Sequence, residues 1–217
     1  MSKEDFVQGS LFEEDYLLRT LGGLATSAEI ALTELVANAW DAGATIVDIY
    51  IPDELGKDLI IEDNGIGLTK EEFYSRWMKL GYNRLKHQGR KVTFPTNVDL
   101  QRYAYGRNGV GRHGMLCFNN EYRVITSSNG KKSKFTITTK SEKEPFIIKA
   151  ESFEKAQKSG TKLIVEIHKN LPKSEHILEV ISARFLHDPK FKVSINRQNI
   201  QLEEHKGLIF SKEVEVD

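Results

Sequence analysis

Residues 26–44 read TSAEIALTELVANAWDAGA, and the rest of the chain is arranged around them. Thr26 followed three residues later by Glu29 has the form of a capping box, and Gly43 is a natural C-terminal stop, so the spacing predicts one helix between them. Two faces of that helix are occupied. Ala28, Leu32, Leu35, Val36 and Ala39 recur at three- and four-residue steps as a stripe to bury, while Glu34, Asn38 and Asp41 recur at the same steps on another face. A solvated face favours Lys, Glu and Gln, and Asn competes for backbone partners. Glu34 and Asn38, one turn apart, therefore read either as an ordinary polar face or as a working pair in which Glu polarises a water and the Asn oxygen holds a hard cation.

A chain of 217 residues is enough for one well-packed α/β domain with at most a small appendage. Lys+Arg and Asp+Glu are both 31, so no global field points to a polyanionic partner, although a local basic patch stays open. The one cysteine, Cys117, has no partner for an internal disulfide and reads as a core residue. The opening MSKEDFVQGS lacks a signal peptide's apolar run, and no stretch approaches the roughly 20 apolar residues of a membrane span. The expected compartment is cytoplasmic, or nuclear in a eukaryote.

Residues 1–20 read as a charged arm with scattered apolar residues, and 203–217 as a tail or the start of a following domain. After the first helix, TIVDIYI (45–51) and DLIIE (58–62) form a predicted hairpin that runs into Asp63-Asn64-Gly65-Ile66-Gly67. Thr69 with Glu72 starts a second capped helix carrying Phe73, Trp77 and Leu80 and ending at Gly81. Residues 82–105 are basic and polar with no sustained period, which suggests a long functional loop or lid. Strands follow at 122–127, 134–139, 145–150, 160–168 and 191–196, with Asn129-Gly130 as a hairpin turn and a helix at 174–186. Short turns between strands predict an α+β fold: a mixed, mostly antiparallel sheet with helices layered on one face.

Gly109, Gly111 and Gly114 satisfy G-x-G-x-x-G, but what precedes them is polar and no βαβ unit surrounds them. Glycines that allow close backbone approach, successive N–H groups and the donors Arg107, Arg112 and His113 suit either a phosphate cradle or a flexible turn. Asp63, at the end of a buried strand with Gly65 and Gly67 beside it, suits an acceptor for an exocyclic amine as well as a simple Asp turn. His87, His168, His176, His187 and His205 show no metal-ligand spacing.

In this order, ELVANAWDAGA, DNGIG, GRNGVGRHG and GTKLIVEI resemble the four motifs of the GHKL ATPases: gyrase, heat-shock chaperones, histidine kinases and MutL. WMKLGYNRLK and HDPKFKVSINRQNI look most like the Microrchidia (MORC) and heat-shock-chaperone-like branch. The resemblance covers residues 20–200. It implies a two-layer α+β sandwich of the Bergerat fold over 21–202, binding ATP with Mg²⁺.

By that resemblance Glu34 is the general base, Asn38 ligates the metal, and Asp63 reads the adenine amino group with Gly67 beneath the base and Thr161 in support. Gly109, Val110, Gly111, Arg112, His113 and Gly114 wrap the phosphates, and Lys86 is the candidate lid lysine. It further implies slow hydrolysis, a lid that closes over ATP and an ATP-dependent homodimer acting as a clamp or chaperone-like switch. DNA or a client protein are the candidates for what it acts on, and no membrane is implied.

Two positions depart from the pattern: Ala37 stands where relatives often carry a polar residue, and Arg112 where many have Lys or Phe. The lysine or arginine that relatives supply from a following domain has no counterpart here, so the expectation is the amino-terminal part of a longer protein. The alternatives are a non-catalytic nucleotide-sensing or nucleic-acid-binding module and a histidine-kinase-type phosphotransferase. Glu34 suits activation of water better than phosphate transfer to histidine.

Overall fold

A computed structural model describes residues 16–96, 98–105, 109–140 and 144–200; the arm before residue 16 and the tail after 200 lie outside the described residues. Two short helices, α1 (Tyr16–Leu21) and α2 (Gly23–Thr26), lead into α3 (Ala28–Asp41). Here the expected cap is corrected. Ser27, not Thr26, is the N-cap: its Oγ accepts from the Ile30 amide at 3.2 Å. Thr26 is the last residue of α2, and its hydroxyl turns back to Gly22 O. Glu29 accepts from the Ser27 hydroxyl at 2.6 Å rather than from a cap amide. The reason is that α2 already holds Thr26 as helix, so the chain first leaves helical dihedrals at Ser27 (φ −109°, ψ 118°).

The far end closes as expected. Gly43 takes φ +71°, its amide donates to Trp40 O (3.1 Å) and that of Ala44 to Ala39 O (3.1 Å), the paired bonds of a Schellman stop. All five residues of the apolar stripe are buried.

Strands β1 (Ile46–Tyr50) and β2 (Asp58–Asp63) form the expected antiparallel hairpin. Asn64 fastens its open end: its Oδ1 accepts from the amides of Thr45 (2.8 Å) and Ile46 (2.9 Å). Helix α4 (Lys70–Glu72) begins at a complete Thr69–Glu72 capping box and widens into a π-helical turn over Phe73–Trp77. That turn buries Phe73 against Phe135 of the sheet and stacks Trp77 on Phe73.

Residues 82–105 are more ordered than their sequence predicts. They contain α5 (Arg84–Gln88), capped by the Asn83 side chain, and an antiparallel bridge between Lys91 and Tyr103. Long-range contacts supply that order. Arg102 is buried, with its guanidinium 3.9 Å from the Trp40 ring; it donates to Ala44 O (2.8 Å) and pairs with Asp188 (3.2 Å). Trp40 Nε1 in turn donates to Tyr103 O at 2.9 Å.

A 3₁₀ helix over Gly111–Cys117 precedes β3 (Glu121–Ser128), β4 (Lys131–Thr138), β5 (Ile147–Lys155) and β6 (Gly160–Glu166). Asn129 and Gly130, both at positive φ, make the hairpin turn. Then come α6 (Ser174–Phe185), β7 (Lys192–Ile195) and a two-residue β8 (Gln198–Asn199) that the sequence did not announce. The sheet runs β5-β4-β3-β6-β2-β1-β7-β8; β1–β7 is parallel and the other pairs are antiparallel.

Val47, Ile49, Leu59, Ile61, Val124, Phe135 and Val165 bury one face of the sheet with α3, α6 and the 3₁₀ helix, whereas Asp48, Tyr50, Glu62 and Arg123 expose the other. This is the expected two-layer α+β sandwich. No helix among the described residues is long and apolar enough to cross a membrane.

The cap assignment has a direct test. Ser27→Ala is expected to cost about 1 kcal/mol in urea unfolding and Thr26→Ala a few tenths or less; the reverse order would return the cap to Thr26.

Candidate functional site

The Asp-Asn-Gly-Ile-Gly turn leaves β2 and docks on the C-terminal end of α3. Ile66 N–H donates to Ala42 O at 2.9 Å, and a Cβ at Gly65 would lie 2.6 Å from that same oxygen, so only glycine permits the approach. Gly67 follows at φ +62° and passes so close to Ser127 O that a Cβ there would sit 2.1 Å from it. Between this turn, α3, the Phe73–Trp77 turn, α5 and the Gly109–Arg112 stretch lies a cavity of about 410 Å³.

Asn38, Asp63, Gly67, Gly109, Arg112 and Thr161 line the cavity, drawn from four separate segments of the chain. Leu35, Ala39, Ile61, Ile66, Leu68 and Leu163 supply apolar wall, a mixture that suits a flat ring with a polar edge.

Asp63 stands in register with Thr161 across β2 and β6. Its Oδ1 accepts from Gly65 N–H at 2.8 Å, and the Thr161 amide also supports it. Burial outweighs both and pushes the carboxyl up to about 7. Thr161 Oγ1 is in turn 3.2 Å from Thr126 Oγ1, which accepts from Leu68 N–H at 2.9 Å. Sequence reasoning missed Thr126, because nothing in a strand's own pattern reveals which turn it will meet.

Arg112 is the opposite case. Its guanidinium donates to Arg76 O and lies 5.3 Å from the Tyr82 ring centroid, yet no carboxylate pairs with it among the described residues. Burial lowers it to about 10. A desolvated cation on a cavity wall without its own anion is a site for one. Asn38 Nδ2 is likewise buried with no partner, so its amide has hydrogen-bonding capacity left for a ligand.

Glu34 lies behind the glycine-rich stretch. A Cβ at Gly111 would be 2.6 Å from its Oε2, so the glycine is what lets the two elements touch. Burial raises the Glu34 carboxyl; Arg184 opposes the rise and Asp41 adds to it.

Four expected residues sit elsewhere. The His113 side chain is fully buried, with Nδ1 2.9 Å from Tyr122 Oη, and burial with Arg112 nearby lowers it to about 3; it faces the core as a neutral ring, not the cavity. Gly114 serves helix packing, since a Cβ there would lie 2.9 Å from Ala31 O. Val110 packs on the core. Lys86 is exposed on α5 and does not line the cavity, whereas Arg84, two residues earlier, does. Arg84 and Tyr82 were missed because an irregular basic stretch gives no period from which inward-facing positions can be read. Arg107 lies outside the described residues.

Fold and cavity together define the class: a two-layer α+β domain with a ligand cleft between its long helix and the end of its sheet. The chain belongs to the histidine kinase-, DNA gyrase B- and HSP90-like ATPase family, whose model matches residues 26–170. It is 32% identical over 130 residues to the candidate type II restriction enzyme HgiDII of Herpetosiphon aurantiacus, covering 58% of this chain and 20% of that protein. It is also 31% identical over 123 residues to the mitochondrial TNF receptor-associated protein 1 homolog of Dictyostelium discoideum, covering 48% and 17%. The chain thus matches about a fifth of the length of these curated relatives.

Asp63 gives a pH signature. Its folded carboxyl holds a proton up to about 7, against 3.8 ordinarily, so its contribution favours folding at low pH and is withdrawn as pH rises between those values. Unfolding followed from pH 4 to 8 is expected to show this decline in the wild type and to lose that component in Asp63→Asn.

Proposed function

We propose that the domain binds Mg·ATP in this cavity and hydrolyses it, that residues 82–105 close over the nucleotide, and that closure makes two copies dimerise as an ATP-gated clamp or chaperone-like switch. The observation that carries the reading is the placement, in one cavity, of the Asp63 carboxyl and the partly buried Arg112 guanidinium, with which no carboxylate pairs among the described residues. Adenine offers the first its amino group, and the phosphates offer the second its charge.

In this reading Asp63 accepts from the adenine amine, with Gly67 making room beneath the ring and Thr161 holding the carboxylate. Arg112 and the backbone of Gly109, Val110 and Gly111 face the phosphates. Asn38 would ligate Mg²⁺ through its Oδ1, and the ion when bound supplies charge neutralisation across the phosphates; its unsatisfied Nδ2 is free to donate to an oxygen of the ligand. Glu34 orients and deprotonates the attacking water; burial moves its carboxyl toward the range where a general base works at neutral pH. Phosphoryl transfer asks mainly for positioning and neutralised charge, and these groups supply both. Lys86, exposed on α5, reaches the nucleotide only if the segment moves further over it.

The wider setting belongs to the same proposal. The module spans residues 21–202 of the amino-terminal part of a longer protein, on the MORC or heat-shock-chaperone-like side of the family. It works in the cytoplasm, or the nucleus of a eukaryote, with DNA or a client protein as its object. Similarity to a candidate restriction enzyme and to a receptor-associated protein homolog supports both objects.

Turnover and assembly decide it together. Glu34→Ala is expected to lower ATP hydrolysis by at least about 10²-fold while ATP still binds. Asn38→Ala is expected to remove the magnesium dependence of binding, and light scattering to find dimers with ATP or a non-hydrolysable analogue but not with ADP. A wild-type protein to which ATP does not bind in calorimetry would overturn the reading.

A further inference from the structure

We propose that Asp41 is a latch: one carboxylate on α3 that holds both ends of the Arg84–Tyr105 segment against the cleft and so governs how readily nucleotide exchanges. The proposal rests on the ATP reading above and concerns the regulation of that same site. Asp41 is the third member of the polar stripe on α3, and the reading that employs Glu34 and Asn38 gives it no task.

Its geometry supplies one. The side chain lines the cavity and is 10% exposed. Oδ1 accepts from the backbone N–H of Tyr105 at 2.6 Å, at the far end of the segment. Oδ2 faces Arg84 Nε at 3.8 Å, at the near end, where the Arg84 side chain is 14% exposed. Arg84 completes the closure: Nη1 donates to Gly89 O (2.9 Å), and Nη2 to Asp41 O and Lys91 O (3.4 Å each).

Between those ends, Arg84, Gln88 and Thr93 line the cleft itself. The segment cannot leave α3 without separating Asp41 from the Arg84 guanidinium and the Tyr105 amide, and the loss falls on an Asp41 carboxylate and an Arg84 side chain that are both poorly solvated. Its second attachment is of a different kind: Arg102, buried under Trp40 and paired with Asp188, lies away from the cleft and stays as the base about which the segment moves. Asp41 and Arg84 are thus positioning residues. They act on the nucleotide through the segment.

Exposed Lys86, Arg90 and Lys91 make trypsin a reporter of segment opening. The test uses the full chain as wild type, Asp41→Asn, Arg84→Gln, the double variant and Arg84→Lys. Cleavage at those three sites is followed with and without ATP, alongside the dissociation rate of a fluorescent ATP analogue. Each single variant is expected to raise cleavage and analogue dissociation about five-fold or more. The double variant is expected to be no worse than the worse single, because both act through one contact, and Arg84→Lys to recover part of the loss. Cleavage at Lys149, on β5, should not change, which separates local opening from global unfolding.

Single variants within about two-fold of wild type, or effects that add in the double, would overturn the latch. Should the wild type fail to bind the ATP analogue, the functional reading falls, while cleavage in the nucleotide-free protein still decides whether Asp41 holds the segment.

Discussion

The whole site depends on one backbone contact, the docking of the turn after β2 onto the last carbonyls of α3. Ala42 O receives the Ile66 amide, and Gly65 gives up a side chain so that the two backbones can meet. The contact brings the end of a strand carrying Asp63 to the helix carrying Glu34, Asn38 and Asp41. Gly43 extends the same junction on its other side, where a Cβ would lie 2.2 Å from Thr93 O, so the 82–105 segment also crosses at the end of α3. A bulkier residue at either glycine would move two cavity walls at once, because neither neighbour is a flexible side-chain tip.

Around that junction the protein tolerates charges that folding alone would not select. Arg112 is desolvated without a carboxylate partner among the described residues, Asp63 holds a proton to about neutrality, and Asn38 leaves an amide nitrogen unsatisfied. Each costs stability in the empty domain. The surrounding core offsets the cost: Leu32, Leu35, Val36, Met115, Leu116 and Phe118 are all but fully buried, and Phe73, Phe135 and Trp77 stack beside them. Contrast the open face of the sheet, where Arg123 pairs with Asp58 and Lys162 with Glu62. Unbalanced charge is concentrated where a charged ligand would complete it.

The segment between Tyr82 and Tyr105 joins these two themes. It is held by a buried cation under aromatic rings at one point and by a cleft-side carboxylate at another, so its attachments differ in how much burial holds them. Local opening begins where fewest apolar contacts must break. That ordering places the less buried of the two attachments at the cleft and the more buried one away from it.

Much of this was legible in the linear chain, and the reason is that it rested on local rules. The apolar stripe of α3, the Thr69–Glu72 capping box, the β1–β2 hairpin, the Asn129-Gly130 turn and the sandwich class all follow from period, cap and turn chemistry within a few residues. The polar triplet Glu34, Asn38, Asp41 was equally visible, because a helix repeats its faces. What failed were assignments that depend on a distant neighbour or on the state of the preceding residue. Ser27 displaced Thr26 as the cap because α2 runs straight into it. His113 turned from expected phosphate donor to core ring because Tyr122 waits behind it, and Arg84 rather than Lys86 reached the cleft because Asp41, on another helix, draws it there. The sequence by itself determined the main elements, the family and the candidate groups; only the tertiary structure decided the order within 82–105 and which of those groups face the cavity, since direction and burial are set by partners far away in the chain.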